Sequence, residues 1–313
     1  MGILCTKRLT GRFFWLYFGV SLLWGCSPAP TPSQRIAERP LTDSVLDDRA
    51  VWVWLPPGYE QHPERRYKVL YMHDGQNLFD SSAAYGGISW NAHTTAERLI
   101  LEGQIEPFIL VGVANSRHRF REYAPQKPLE TLTDSLRLTL RPQMSEGPLL
   151  ADRYVTVLCT ELIPRIDQTY RTQATPEGRA IAGSSMGGLI SLYSVCERPD
   201  VFGSAACVST HWPIRLDTNS FEFRKAFEPY LFAHLGQLDS PKPRIYFDRG
   251  SATLDRFYAP HQNAIDSCFR AWDYPEERWQ SWVFEGAEHN EAAWAARFEG
   301  VLRFLFGTDN DRT

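Results

Sequence analysis

The stretch RAIAGSSMGGLIS, Arg179 to Ser191, sets two adjacent serines between glycines. A Gly-x-Ser-x-Gly pattern fits it in one register, Gly183-Ser184-Ser185-Met186-Gly187, centred on Ser185. Centring on Ser184 would need glycines where Ala182 and Met186 stand. Alone the pattern is weak, because a chain of this length shows one by chance roughly one time in ten. Its setting gives it weight. RAIAG reads as a short strand, and Met186 to Glu197 as a helix stopped by Pro199, so the serine sits at a strand-turn-helix junction. Such a turn needs glycines, since a Cβ on either flank would crowd the neighbouring strand and helix. It also aims a helix N-terminus at Ser185, where free amides stabilise negative charge.

Working outward, short β-rich runs alternate with longer helical patterns. RAVWVWLPP alternates from Val51 to Leu55 and stops at two prolines, as an antiparallel strand would. YKVLYMHDG and PFILVGVAN are near-continuous apolar runs, the mark of strands buried on both faces. Helical spacing follows around Ala92 to Glu102 and again from Ala151 to Tyr170. SAACVS, RIYFD and WQSWVFEG supply three more strands, and a last helix runs from about Glu291 to Phe306. This alternation predicts an α/β chain with one doubly wound, mostly parallel sheet and helices on both faces. The less regular segment from Asn115 to Leu150 carries charges and prolines and is long for a connection, so it reads as a lid or substrate loop.

A serine needs a base, and the base needs an acid to orient it. In an elbow of this kind the chain order is Ser, then Asp or Glu, then His. After Ser185 come His211, His234, His261 and His289. His289 follows WQSWVFEG by a few residues, which puts it at the C-terminal mouth of the sheet. His261, beside Pro260, reads as a surface or capping residue. For the acid, Asp248 ends the strand RIYFD and Asp255 ends the loop after it; the loop length favours Asp255. An oxyanion hole would take the backbone N–H of Met186 and that of Gln76, in the loop YMHDGQNLFD where Gly75 allows close approach. His73 and Asp74 in that loop lack any metal-site spacing and read as loop-shaping groups. Trp90 and Trp212, with Tyr123, are candidates to line the mouth and stack on substrate. Arg119, Arg121 and Glu122 read as a solvated loop.

VWLPPGY, YKVLYMHDGQNLFD, AGSSMGGLISLYSVCERPDVFG, IYFDRGSATLD and FEGAEHNEAAW together resemble the esterase family of α/β hydrolases that includes enterochelin, feruloyl and acetyl-xylan esterases, S-formylglutathione hydrolase and mycolyltransferases. The similarity runs from about Val51 to Phe306. It implies an α/β-hydrolase fold with Ser185 as nucleophile, Asp255 as acid and His289 as base. It also implies that the Asp74-Gly75-Gln76 turn forms part of the oxyanion hole. The expected activity is carboxylic-ester hydrolysis on a small-molecule or glycan ester of a sugar, siderophore or aromatic acid, with no cofactor and no metal. Two rivals stand beside it: an acyltransferase with the same residues, and a non-catalytic ligand-binding lipoprotein.

Composition fits these expectations. The chain is 43% hydrophobic and 22% charged with a formal charge of −4, so the basic footprint of a nucleic-acid binder is absent. Lys7, Arg8 and Arg12 precede an apolar run from Phe13 to Gly25, short for a membrane span and suited to a signal peptide over residues 1–25. LLWGC followed by SPAPTPS resembles a bacterial lipoprotein signal with Cys26 lipidated, although Trp24 departs from the small residue usual there. The plain alternative is a general secretory signal. The expected plan is then a tether over 26–40, one hydrolase domain over 41–308 and a polar tail over 309–313, held outside the cytoplasm on a bacterial membrane. Cys159, Cys196, Cys207 and Cys268 lie in the folded region, and no pairing among them is favoured.

Overall fold

The computed structural model describes residues 33–44, 46–140, 142, 147–216, 220–238 and 241–308; the signal segment, Cys26 and the tail 309–313 lie outside the described residues. Eight strands form one sheet: β1 (Gln34–Leu41), β2 (Arg49–Leu55), β3 (Lys68–His73), β4 (Phe108–Val113), β5 (Arg179–Ser184), β6 (Ser204–Val208), β7 (Arg244–Arg249) and β8 (Trp279–Val283). Their spatial order is β1-β2-β4-β3-β5-β6-β7-β8. β2 runs antiparallel to both neighbours, and every pairing from β4 to β8 is parallel. The longer helices are α1 (Ala92–Leu101), α5 (Ala151–Val157), α6 (Ile163–Thr169), α7 (Met186–Glu197), α8 (Ser220–Leu231), α9 (Ala259–Ala271) and α10 (Glu291–Phe306). Three short ones, α2 (Arg119–Tyr123), α3 (Gln126–Glu130) and α4 (Asp134–Thr139), lie between β4 and α5.

The central strands are apolar because both of their faces are covered. Val69, Tyr71, Ile109, Val111 and Ile181 point to one core, shared with Tyr154, Leu189, Phe223 and Phe269 of the helices. Their neighbours Leu70, Met72, Leu110 and Ala182 point to a second core, closed by Leu99 of α1 and Phe298 and Leu302 of α10. This is the period-2 alternation of a strand buried twice over. The result is the mixed, mostly parallel sheet with helices on both sides that the sequence predicts.

Two expectations need correction. The tether does not extend to residue 40, because Gln34–Leu41 is an edge strand in register with β2, from Gln34 opposite Leu55 to Glu38 opposite Val51. Its polar sequence, QRIAERPL, hides it, since an edge strand needs little apolar content and tolerates Pro40. The segment 115–150 is not a solvated loop around Arg121 and Glu122. Glu122 is fully buried in a two-armed ion pair with Arg49 of β2, at 2.7 and 2.8 Å, and Arg121 donates from Nε to the Pro148 carbonyl at 2.7 Å. The four cysteines of the described residues are free thiols. Among the described residues no helix is long and apolar enough to cross a membrane.

Candidate active site

Ser185 stands between β5 and α7 with φ 59° and ψ −119°, outside the regions a side chain ordinarily favours. Three contacts hold it there. Its N–H donates to the Val208 carbonyl at 2.8 Å, and its own carbonyl accepts from Gly188 at 3.0 Å and His211 at 3.2 Å. The turn tolerates no bulk behind it, since a Cβ on Gly183 would lie 2.8 Å from the backbone of Gly187. Ser184 is buried at the end of β5, so Ser185 is the serine that reaches the surface.

The turn after β7 and the turn after β8 meet each other through Asp255 and His289. The His289 Nδ1–H donates to Asp255 Oδ1 at 2.6 Å, which leaves the Nε2 lone pair as the acceptor on the imidazole. The His289 backbone N–H is held by Thr253 Oγ1 at 2.8 Å, and its ring meets Tyr258 and Trp294 edge-to-face at 5.4 and 4.9 Å. Asp255 is wholly enclosed. Its Oδ2 accepts from the Gly250 N–H and the Ser209 hydroxyl, both at 2.6 Å. Burial alone would push this carboxyl up, but the hydrogen bonds from His289, Ser209 and Gly250 hold it below its usual range. Asp248, the other candidate acid, binds Arg297 Nε at 3.1 Å and the Ser209 N–H at 3.2 Å instead of a histidine.

The remaining histidines are placed elsewhere. His211 sits beside the elbow, donating from Nε2 to the Ile214 carbonyl at 3.3 Å and accepting the Tyr258 hydroxyl at Nδ1. Burial, with His289 near it, pushes His211 down to about 4, so it stays neutral. His261 is buried and stacked on Phe221 at 4.6 Å, a core group and not the surface cap expected.

The loop after β3 turns sharply at Asp74, φ 56°, into a single helical turn over Gly75–Asn77. Glycine is required at 75, because a Cβ there would lie 2.5 Å from the backbone of Gly112 and Val113. The Asp74 carboxylate accepts Arg119 Nε and Nη2 at 2.7 and 2.8 Å and Asn115 Nδ2 at 2.6 Å, which fixes the turn. Burial is again overcome, here by Arg119, and Asp74 stays below its usual range. A Cβ on Gly187 would come within 3.4 Å of Asp74 Oδ2, so this turn lies against the first turn of α7. The amides of Gln76 and Met186 belong to first turns, which have no helical acceptor of their own. His73 is buried and bonded at Nδ1 to the Tyr154 hydroxyl at 2.8 Å, a loop-shaping contact.

The expected aromatic rim is corrected by burial. Trp212 is fully enclosed, donating to Gln262 Oε1 at 2.7 Å, and Trp90 packs between Trp294 and Phe298. Tyr123 is also enclosed, its ring against His73 and Tyr154. Arg119, read from sequence as a solvated residue, is instead the brace of the loop after β3. Ser209 and Arg297 went unread, because they come from separate elements and form no motif.

A sheet of this order with a serine elbow at the end of β5 defines an α/β hydrolase. Residues 43–305 match the family described as Putative esterase, and the chain belongs to that family of carboxylic ester hydrolases. It is 30% identical over 195 residues to the Endo-1,4-beta-xylanase/feruloyl esterase of Xylanibacter ruminicola, which is 61% of this chain but 23% of that longer protein. Among solved structures it resembles a ferulic acid esterase, with TM-score 0.61, 22% identity, and coverage of 87% of this chain and 98% of that one. An IroE-like serine hydrolase from Shewanella oneidensis gives TM-score 0.65 at 18% identity, over 86% of this chain and 79% of that one.

Proposed function

We propose that the protein is a serine carboxylesterase that works through a covalent acyl-enzyme, with Ser185 as nucleophile, His289 as general base and Asp255 as the acid that orients it. The observation that carries this reading is the 2.6 Å bond between His289 Nδ1 and Asp255, which leaves Nε2 as the proton acceptor. Ser185 Oγ attacks the ester carbonyl as its proton passes to Nε2; the oxyanion is met by the amides of Gln76 and Met186. Collapse expels the alcohol, which takes the proton from His289. Water then attacks the acyl-serine, giving up its proton to His289, and release of the acid returns that proton to Ser185. The ester acyl group is read as an aromatic acid, in keeping with the printed names of the Xylanibacter ruminicola relative and the ferulic acid esterase neighbour. The protein is placed outside the cytoplasm on a lipid at Cys26, the reading that LLWGC supports.

A fluorophosphonate label tests the chemistry. Wild type should label, and Ser185→Ala should lose both the label and about 10⁴-fold or more of p-nitrophenyl ester turnover while keeping its circular dichroism spectrum. Equal labelling of the two would sink the reading. For the anchor, metabolic incorporation of an alkyne fatty acid should mark the wild type and not Cys26→Ser; a marked Cys26→Ser protein would refute it.

A further inference from the structure

A buried cation lies directly behind Asp255. Arg297, in the second turn of α10, is 3% exposed, and its Nη2 is 3.8 Å from Asp255 Oδ2. Nη2 donates to Ser209 Oγ at 2.6 Å, and Nε donates to Asp248 Oδ1 at 3.1 Å. Asp248, 0% exposed, also takes the Ser209 N–H at 3.2 Å and the Tyr246 hydroxyl at 3.2 Å. An arginine cannot give up its charge, so a guanidinium here is a permanent positive centre in a dry site.

The hydroxyl of Ser209 has only one proton and two lone pairs. Both lone pairs are taken, one by Arg297 Nη2 and one by Trp294 Nε1 at 3.1 Å. Its proton is therefore directed at Asp255 Oδ2, 2.6 Å away. Ser209 itself is held in a left-handed backbone conformation, φ 44°, a position a side chain adopts only under constraint. Trp294 does double service, since its ring also meets His289 edge-to-face at 4.9 Å.

We propose that Arg297, Ser209 and Asp248 form a positioning relay behind Asp255, which fixes the Asp255 rotamer and sets the charge that the His289 imidazole feels. The inference rests on the triad reading given above. Asp248, Arg297 and Asp255 together carry one net negative charge. Arg297 dilutes the field of Asp255 at His289, and Asp248 restores part of it. All three relay residues are buried. Burial pushes the Asp248 carboxyl up and Arg297 pulls it back, so the pair is held together by mutual need.

The other groups facing His289 are Tyr258 at the start of α9, His211 after β6, and Glu291 on α10 with Arg119 of α2 beyond it. They are the same in every variant below, so differences between variants report the relay.

The test is kcat/KM against pH with a small p-nitrophenyl ester. Asp248→Asn removes a negative charge and keeps an acceptor for Arg297, so its acid limb should move to lower pH. Arg297→Met removes the cation and should move the limb to higher pH, by at most about one unit for a charge at this range, since the unpaired Asp248 carboxyl takes up a proton over part of the range. Arg297→Lys should restore the wild-type limb. Ser209→Ala should lower kcat about tenfold with KM little changed. Should Arg297→Met not fold, the Asp248→Asn shift alone decides. Limbs that stay in place, or that move together, overturn the relay. If Ser185→Ala keeps its turnover, the triad reading falls instead, and the two failures are separate.

Discussion

A single methyl group at Gly75 would disturb the turn that carries Gln76. The turn holding Gln76 is pressed against the backbone of Gly112 and Val113, at 2.5 Å from where a Cβ would stand. Neither neighbour can move, since both belong to a central strand. The turn must therefore withdraw, and the Gln76 amide goes with it. Gly75→Ala should lower kcat by about 10²–10³-fold, the usual scale for losing one oxyanion donor, with KM changed little. Steady-state kinetics on the folded variant check this, and an unchanged kcat would remove Gln76 from the site. At this scale the sequence is most legible where a side chain has its own chemistry and a fixed place in the chain order, and the structure brings two such residues, His289 and Asp255, together. Ser185 and His289 stood out by type and order, and Asp255 by the loop that carries it. Trp212 and Trp90 misled because an aromatic side chain serves a core and a rim equally well. Ser209 and Arg297 were silent because a serine and an arginine acquire meaning only from what folds against them.

Between elements, the buried pair of Arg49 and Glu122 carries more than its sequence setting suggests. Both side chains are fully enclosed, and Glu122 also accepts the Ser116 hydroxyl at 2.9 Å. The pair fastens α2 to β2, and α2 carries Arg119, whose guanidinium braces Asp74. Removing one partner leaves a charge without solvent or counter-ion. Arg49→Met should cost about 3–5 kcal/mol of stability, readable as a lower urea midpoint. A midpoint within error of the wild type would show that the pair is dispensable. The strands β3 to β7 were legible because they are buried twice and read as apolar runs. β1 was missed because an edge strand bears only one demand, and α2 to α4 because five- and six-residue helices barely complete a periodic pattern. The charges of the 115–150 segment were seen, but their destination was not, since Arg49 lies 73 residues from Glu122.

For the molecule as a whole, burial depresses three histidines most strongly and His93 in the same direction. Burial pushes His73 down to about 3, burial with His289 near it pushes His211 down to about 4, and burial with Arg224 near it pushes His261 down to about 4. In the unfolded chain each returns to about 6.5. A base whose folded value is depressed binds its proton first in the unfolded state. Stability is therefore full above neutral pH and falls as pH drops from about 6.5 towards 4. Near pH 5.5 the unfolded chain holds close to three extra protons, a slope of at most about 4 kcal/mol per pH unit. Asp248 and Asp266, whose carboxyls burial pushes up, work in the opposite sense and ease the slope at its acid end. Asp74 and Asp255, held below the usual range, add a further loss only under about pH 4. Urea unfolding at pH 7.5, 6.5, 5.5 and 4.5 should show the midpoint falling steadily below 6.5. His261→Gln takes no part in the site, and its slope should be shallower by about one proton, roughly 1.4 kcal/mol per pH unit. A wild-type midpoint that is flat from 7.5 to 5.5 would mean that these histidines find protons in the folded state, and an unchanged slope in His261→Gln would exempt that residue alone.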